Sequence, residues 1–245
     1  MKGSPFCANH AELCPRESPR TGWEPKYHPS RWNRNPNLRK THNCFAYAMN
    51  VNDPRQIQAC AKDPKCNVPY HQPGSVSGYP GFKNTIDKSC PEMEARTRGD
   101  NPTITPIIFE AKCPNETSKI ALVVDTDEDY HYYRQDMNGY WSHKPGGLAV
   151  TNKDASGRPI YDPQLADRNY NDQNSNLNYN NFCSYMCVPR MRPLFLKIGG
   201  KRIILREDSS VSVSRKSKNR YPLTRRFLGS KGRVTRRNQY GRKDY

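Results

Sequence analysis

The chain has 245 residues and a formal charge of +17, which allows one ordinary domain with extensions or two small ones. Leu, Ile, Val and Phe together number 38, too few for a large conventional core at this charge, although fifteen Tyr and three Trp bring large buriable surfaces. No run approaches about eighteen apolar residues, which excludes a membrane-spanning helix.

Residues 1–40 are rich in Pro, Arg and Asn, with Trp23, Tyr27 and Trp32 scattered among them and no helical or strand period. They read as an extended arm whose aromatics dock on a partner. The start, Met1 to Pro5, leads into polar residues rather than an apolar signal segment, which predicts a reducing compartment. The nine cysteines cannot all pair, and the same reading leaves most of them as free, buried thiols. Cys7 and Cys14, Cys60 and Cys66, and Cys183 and Cys187 lack the two-residue knuckle of zinc sites, so neither a metal nor another cofactor is expected.

Residues 41–206 form the predicted domain. Asn43 is a preferred N-cap residue and opens a buried helix from Cys44 to about Val51. Asn52-Asp53-Pro54 ends it and starts another turn carrying Ile57, Ala59 and Cys60. A further helix is predicted between Asn84 and Arg98, with Pro91 in its first turn. Strands are predicted from Thr105 to Ala111 and from Lys119 to Asp125. Strands from Asp129 to Asp136 and from Tyr140 to Lys144 flank Asn138-Gly139, a strong hairpin signal. A long loop follows from Pro145 to about Asn181, and its segment 169–181 contains seven Asn. A last hairpin turns at Gly199-Gly200. Helices first and strands later predict an α+β fold with a mainly antiparallel sheet.

Residues 207–245 form a polycationic tail. Arg215 to Tyr245 holds twelve Lys or Arg and one acid, Asp244, and so supplies +11 of the total charge. Interleaved Tyr221, Phe227, Leu228, Tyr240 and Tyr245 give this segment docking anchors. Its expected partners are neighbouring proteins, nucleic acid or an anionic membrane surface.

The candidate chemistry lies in the domain. Cys44 sits in the first turn of a helix, where the helix dipole favours the thiolate. His131 and His143 bracket the hairpin, and its register decides whether they meet. In a three-residue loop, Met137 to Gly139, Gly139 takes the left-handed bulge position and His143 lies opposite Tyr133. That register gathers His131, Tyr133, Gln135, Trp141 and His143 on one face. It leaves Tyr130, Tyr132, Arg134, Asp136, Tyr140, Ser142 and Lys144 on the other, which reads as solvated because it holds the charges. A cysteine, a base and an orienting group are the components of covalent catalysis.

The order helix-borne cysteine, histidine, strand, tight turn, strand and second histidine resembles the NlpC-type and CHAP branches of papain-like cysteine peptidases and amidases. The resemblance covers roughly residues 41–146. It implies a papain-like fold in which Cys44 is the nucleophile, His131 the base and His143 the orienting residue. Asn43 before the cysteine and Phe45-Ala46 after it depart from the NlpC pattern. The segments His42 to Ala48, Asp129 to Asp136 and Gly139 to Gly146 also resemble uncharacterised proteins of large DNA viruses. The resulting expectation is a cysteine hydrolase-type domain carried as a minor capsid component, located in the virion and, during assembly, in the host cytoplasm. Its neighbours would be virion proteins. The alternatives are a catalytically idle capsid scaffold and a nucleic-acid-binding virion protein acting through its tail.

Overall fold

A computed structural model describes residues 17–82, 88–126, 128–171 and 175–190, together with the backbone of strands 194–198 and 201–205. The tail 207–245 and the Gly199-Gly200 turn lie outside the described residues. The architecture is α+β. Five short helices come first: α1 (Pro29–Asn33), α2 (Pro36–Thr41), α3 (Cys44–Ala48), α4 (Pro54–Lys62) and α5 (Cys90–Asp100). The strands follow: β1 (Thr105–Ile107), β2 (Thr117–Asp125), β3 (Asp129–Gln135), β4 (Trp141–His143) and β5 (Asn181–Pro189), then β6 (Leu194–Ile198) and β7 (Lys201–Leu205). The main sheet runs β1-β5-β2-β3-β4 and every pairing in it is antiparallel, while β6 and β7 pair separately as the expected last hairpin.

Proline sets several helix starts. Pro29, Pro36, Pro54 and Pro91 occupy first-turn positions, where their missing N–H costs nothing. Asn35, Asn43 and Asp53 cap α2, α3 and α4 through side-chain oxygens that accept backbone N–H bonds.

The sheet is buried on both faces. Ile120, Leu122, Val124, Tyr130, Tyr132, Met186 and Val188 pack against α3 and α5. On the other face Ala121, Val123, Tyr133, Trp141 and Tyr185 pack under the 145–180 segment, with Ile160 and Tyr179. That segment, expected as a long loop, supplies the second layer of the fold.

The hairpin has the predicted three-residue loop. Asp136 N donates to Tyr140 O at 2.8 Å, Gly139 has φ 91°, and Tyr133 pairs His143. The solvated face is corrected: Arg134, Asp136, Ser142 and Lys144 are all at most 1 % exposed. Arg134 pairs with Asp136 at 3.0 Å and stacks on Tyr47, and Ser142 bonds the Tyr47 hydroxyl at 2.7 Å. The charges face a helix because they are neutralised there.

The N-terminal arm also differs from expectation. Among the described residues, the aromatics expected to meet a partner meet this chain instead. Trp32 packs edge-on against Tyr47 with centroids 5.0 Å apart, and Leu38 joins them.

Strand β5 was not foreseen. A register shift opposite Leu122 and Val123 inserts one extra residue, which turns Cys183 toward α5. Cys183 is there bonded to Cys90; Cys113 bonds Cys187, and Cys60 bonds Cys66. Cys44 is the one free cysteine among the described residues. This overturns the expectation of mostly free thiols in a reducing compartment, since disulfides persist in oxidising surroundings.

The loops that these bonds close set their relative worth. Removing the Cys90–Cys183 bond with paired alanine substitutions is expected to cost about 4 kcal/mol, and removing Cys60–Cys66 about 2 kcal/mol, because the sequence separations are 93 and 6. Urea unfolding of the two double variants checks the ranking, and equal losses would contradict it.

Candidate functional site

Cys44, His131 and His143 fall in one region, but the structure joins only the two histidines. His131 Nε2 lies 2.8 Å from His143 Nδ1, and His143 Nε2 lies 2.9 Å from Lys153 O. Both rings are buried. Burial pushes His131 well below its ordinary value, with His143 and Lys144 adding to the effect, and pushes His143 down to about 4. Both imidazoles are therefore neutral, and the hydrogen-bond chain fixes their tautomers. A carbonyl only accepts, so His143 Nε2 carries the proton given to Lys153 O. His143 Nδ1 then accepts from His131 Nε2, which leaves His131 Nδ1 unprotonated.

Cys44 sits where β4 stops. The β3–β4 pairing covers only Tyr133 to Gln135, and beyond it the start of α3 lies along β3. Asn43 Oδ1 accepts from Ala46 N at 3.0 Å, which sets the helix start, while Asn43 Nδ2 donates to His71 O. The Cys44 thiol donates to Tyr130 O at 3.9 Å and packs among Phe45, Tyr130 and Tyr132 on the helix side. The His131 ring instead meets Tyr133 and Tyr179 on the other side. Burial, with Asp129 adding, pushes the Cys44 thiol up to about 12. This is opposite to the activation expected at a helix start. Helix α3 has only five residues and Cys44 is enclosed, so desolvation outweighs the dipole.

A cleft of about 480 Å³ opens above the histidine pair, walled by Tyr170, Tyr179, Leu148 and Asn169. Among the described residues, no Asp, Glu, Lys or Arg side chain lines it. With both imidazoles neutral, its chemistry is that of hydrogen-bond acceptance beside aromatic surface.

Sequence reasoning missed a second polar cluster behind α3. Asp53 N donates to His42 Nε2 at 2.8 Å, and the Asp53 carboxylate caps α4 and lies 3.8 Å from His71 Nε2. Burial opposes the charge on Asp53, but the nearby His71 ring and hydrogen bonds from Arg55 outweigh it and hold the carboxyl at about 2. Burial holds His42 at about 4. The only sequence signal was Asn52-Asp53-Pro54, which marks a helix boundary and not a cluster. Among the described residues, no group of three or more His, Cys, Asp or Glu is placed to hold a metal ion.

The depressed His143 value makes stability depend on pH in one direction. The unfolded chain takes up this proton near the ordinary value of 6.5, and the folded chain only near 4. Stability is therefore complete above 6.5 and falls as pH drops toward 4, by about 3 kcal/mol for this residue. His143→Gln should lose correspondingly less between neutral pH and about pH 4 in urea titrations. Equal acid losses in the two proteins would show that the ring is not held neutral.

No family model matches the chain, and no solved structure matches it. A curated protein does: over 145 residues the chain is 35% identical to "Insoluble matrix shell protein 1" of Ruditapes philippinarum, covering 58% of this chain and 81% of that one. This relative is a mollusc shell matrix protein, which overturns the reading as a virus-borne cysteine hydrolase, with its capsid and nucleic-acid-binding alternatives. The virion and host-cytoplasm location falls with it. By the extent and identity of that match, the chain belongs to the family of Insoluble matrix shell protein 1.

Proposed function

We propose that this chain is an extracellular structural protein of an insoluble shell-type organic matrix, working through its surfaces rather than by turning over a substrate. The observation that carries this reading is the 35% identity across 81% of the shell matrix protein. Three disulfides among the described residues support it, because they suit an oxidising compartment. The site supports it as well. The one free thiol among the described residues is protonated and enclosed, and its hydrogen bond goes to a backbone carbonyl.

In this reading Cys44, His131 and His143 are internal fastenings. Cys44 seats α3 against β3, and the histidine pair ties β3 and β4 to the Lys153 segment. A papain-like arrangement of helix and sheet, read from the order of these three residues, would then serve as a frame. Among the described residues, no helix is long and apolar enough to cross a membrane. Partners are other matrix components, and the charge of +17 favours anionic ones.

Antibodies against the chain should detect it in the detergent-insoluble residue left after demineralising the extracellular matrix of its source. Detection in cell lysate alone would refute the proposal. A maleimide should leave Cys44 unmodified in the native protein and label it after unfolding in denaturant without reductant. Rapid labelling of the native protein at Cys44 would show an accessible thiolate, against the enclosed thiol described above.

A further inference from the structure

The outer side of the β4 region carries a tyrosine pair that neither the fold nor the matrix reading uses. Trp141 and Ile160 form an antiparallel bridge, with Trp141 N donating to Ile160 O at 2.9 Å. Antiparallel register places Tyr140 directly opposite Tyr161, and side-chain alternation turns this pair away from the buried Trp141 and Ile160. The rings meet on the surface with centroids 4.9 Å apart and planes inclined by 48°. Tyr161 is 38 % exposed and Tyr140 is half-buried.

The backbone of Tyr140 is held in place. Tyr140 O accepts from Asp136 N at 2.8 Å, and Tyr140 N donates to Asn138 Oδ1 at 3.1 Å. The neighbouring Tyr140 phenol, together with burial, raises the Tyr161 value. Centroids this close bring the edges of the two rings together, and the ring carbons flanking each hydroxyl are those at which phenoxyl radicals combine.

We propose that Tyr140 and Tyr161 are a modification site for oxidative phenol coupling, in which a peroxide-driven oxidase joins them through an ortho carbon–carbon bond. Each phenol gives up one electron and one proton to become a phenoxyl radical. The two radicals combine at their ortho carbons to form the new C–C bond. The hydrogens on those carbons then move to the oxygens and restore two phenols. The two electrons and two protons reduce one hydrogen peroxide to two waters. Fixed proximity makes the reaction intramolecular and favours it over coupling between chains. The product is a covalent staple across residues 140–161, a cross-link of a different class from the disulfides and resistant to thiol reductants. This proposal rests on the tyrosine geometry and not on the matrix assignment.

The test treats the purified full-length chain with a peroxidase and limiting hydrogen peroxide at low protein concentration. The expected result is a peptide pair containing Tyr140 and Tyr161, joined with the loss of two hydrogens, in protein that stays monomeric on a denaturing gel. Most of the blue biaryl fluorescence should disappear in Tyr140→Phe and in Tyr161→Phe and persist in Tyr27→Phe. No 140–161 joined peptide, fluorescence unchanged in Tyr161→Phe, or coupling found only in cross-linked dimers would each overturn the proposal.

Discussion

The fold depends on buried cations that are satisfied by backbone carbonyls. Lys119 Nζ donates to Phe109 O at 2.6 Å and to Ser18 Oγ. Lys144 Nζ donates to Arg39 O at 2.7 Å. Arg134 reaches Asn50 Oδ1 and Lys26 O besides Asp136, and Arg190 reaches Ala48 O with two nitrogens. An isolated buried charge would be prohibitive, but bonds from a charged group are worth roughly 1.5–3 kcal/mol each. Burial pushes Lys119 and Lys144 down to about 8, so both remain charged at neutral pH. The scarcity of aliphatic residues thus becomes intelligible. Where another chain would place Leu or Ile, this one inserts a cation that ties a distant loop to the sheet.

That arrangement shapes the candidate site. Pinning Ser18, Lys26 and Arg39 draws the N-terminal segment over the sheet and helps to bury α3. With the 145–180 layer on the opposite face, β3 has no exposed side. Groups that titrate readily in water are therefore held in their neutral forms: Cys44 as a thiol, His131 and His143 as imidazoles.

Some of this was legible in sequence. Asn43 as a helix cap, the α+β order and the three-residue loop at Gly139 follow from local chemistry, and the structure has them. The alternation of side chains also placed His131 and His143 together correctly. Which face was buried could not be read from that alternation, because hydrophobic patterning assumes that charges seek water. Arg134 and Asp136 satisfy each other inside, and breaking such a pair by removing one partner typically costs about 3–5 kcal/mol. Strand β5 escaped for a related reason. It is covered on both faces and bulged, so Asn181 to Pro189 shows neither clean alternation nor an aliphatic run. The Cys90–Cys183 bond depends on that bulge, and it and Cys113–Cys187 join residues 93 and 74 apart, which spacing alone cannot reveal.

The same internal use of cations changes how the charge of +17 should be understood. Residues 215–245 hold twelve basic side chains and one acidic, a net of +11, which leaves +6 for residues 1–214. Within the described region Arg96, Lys119, Arg134, Lys144 and Arg190 are buried and bonded to this chain's own oxygens. They are unavailable to a partner. The basic character that the described domain offers outward is therefore smaller than its composition suggests. Cations inside the domain thus hold a lean, cross-linked body together.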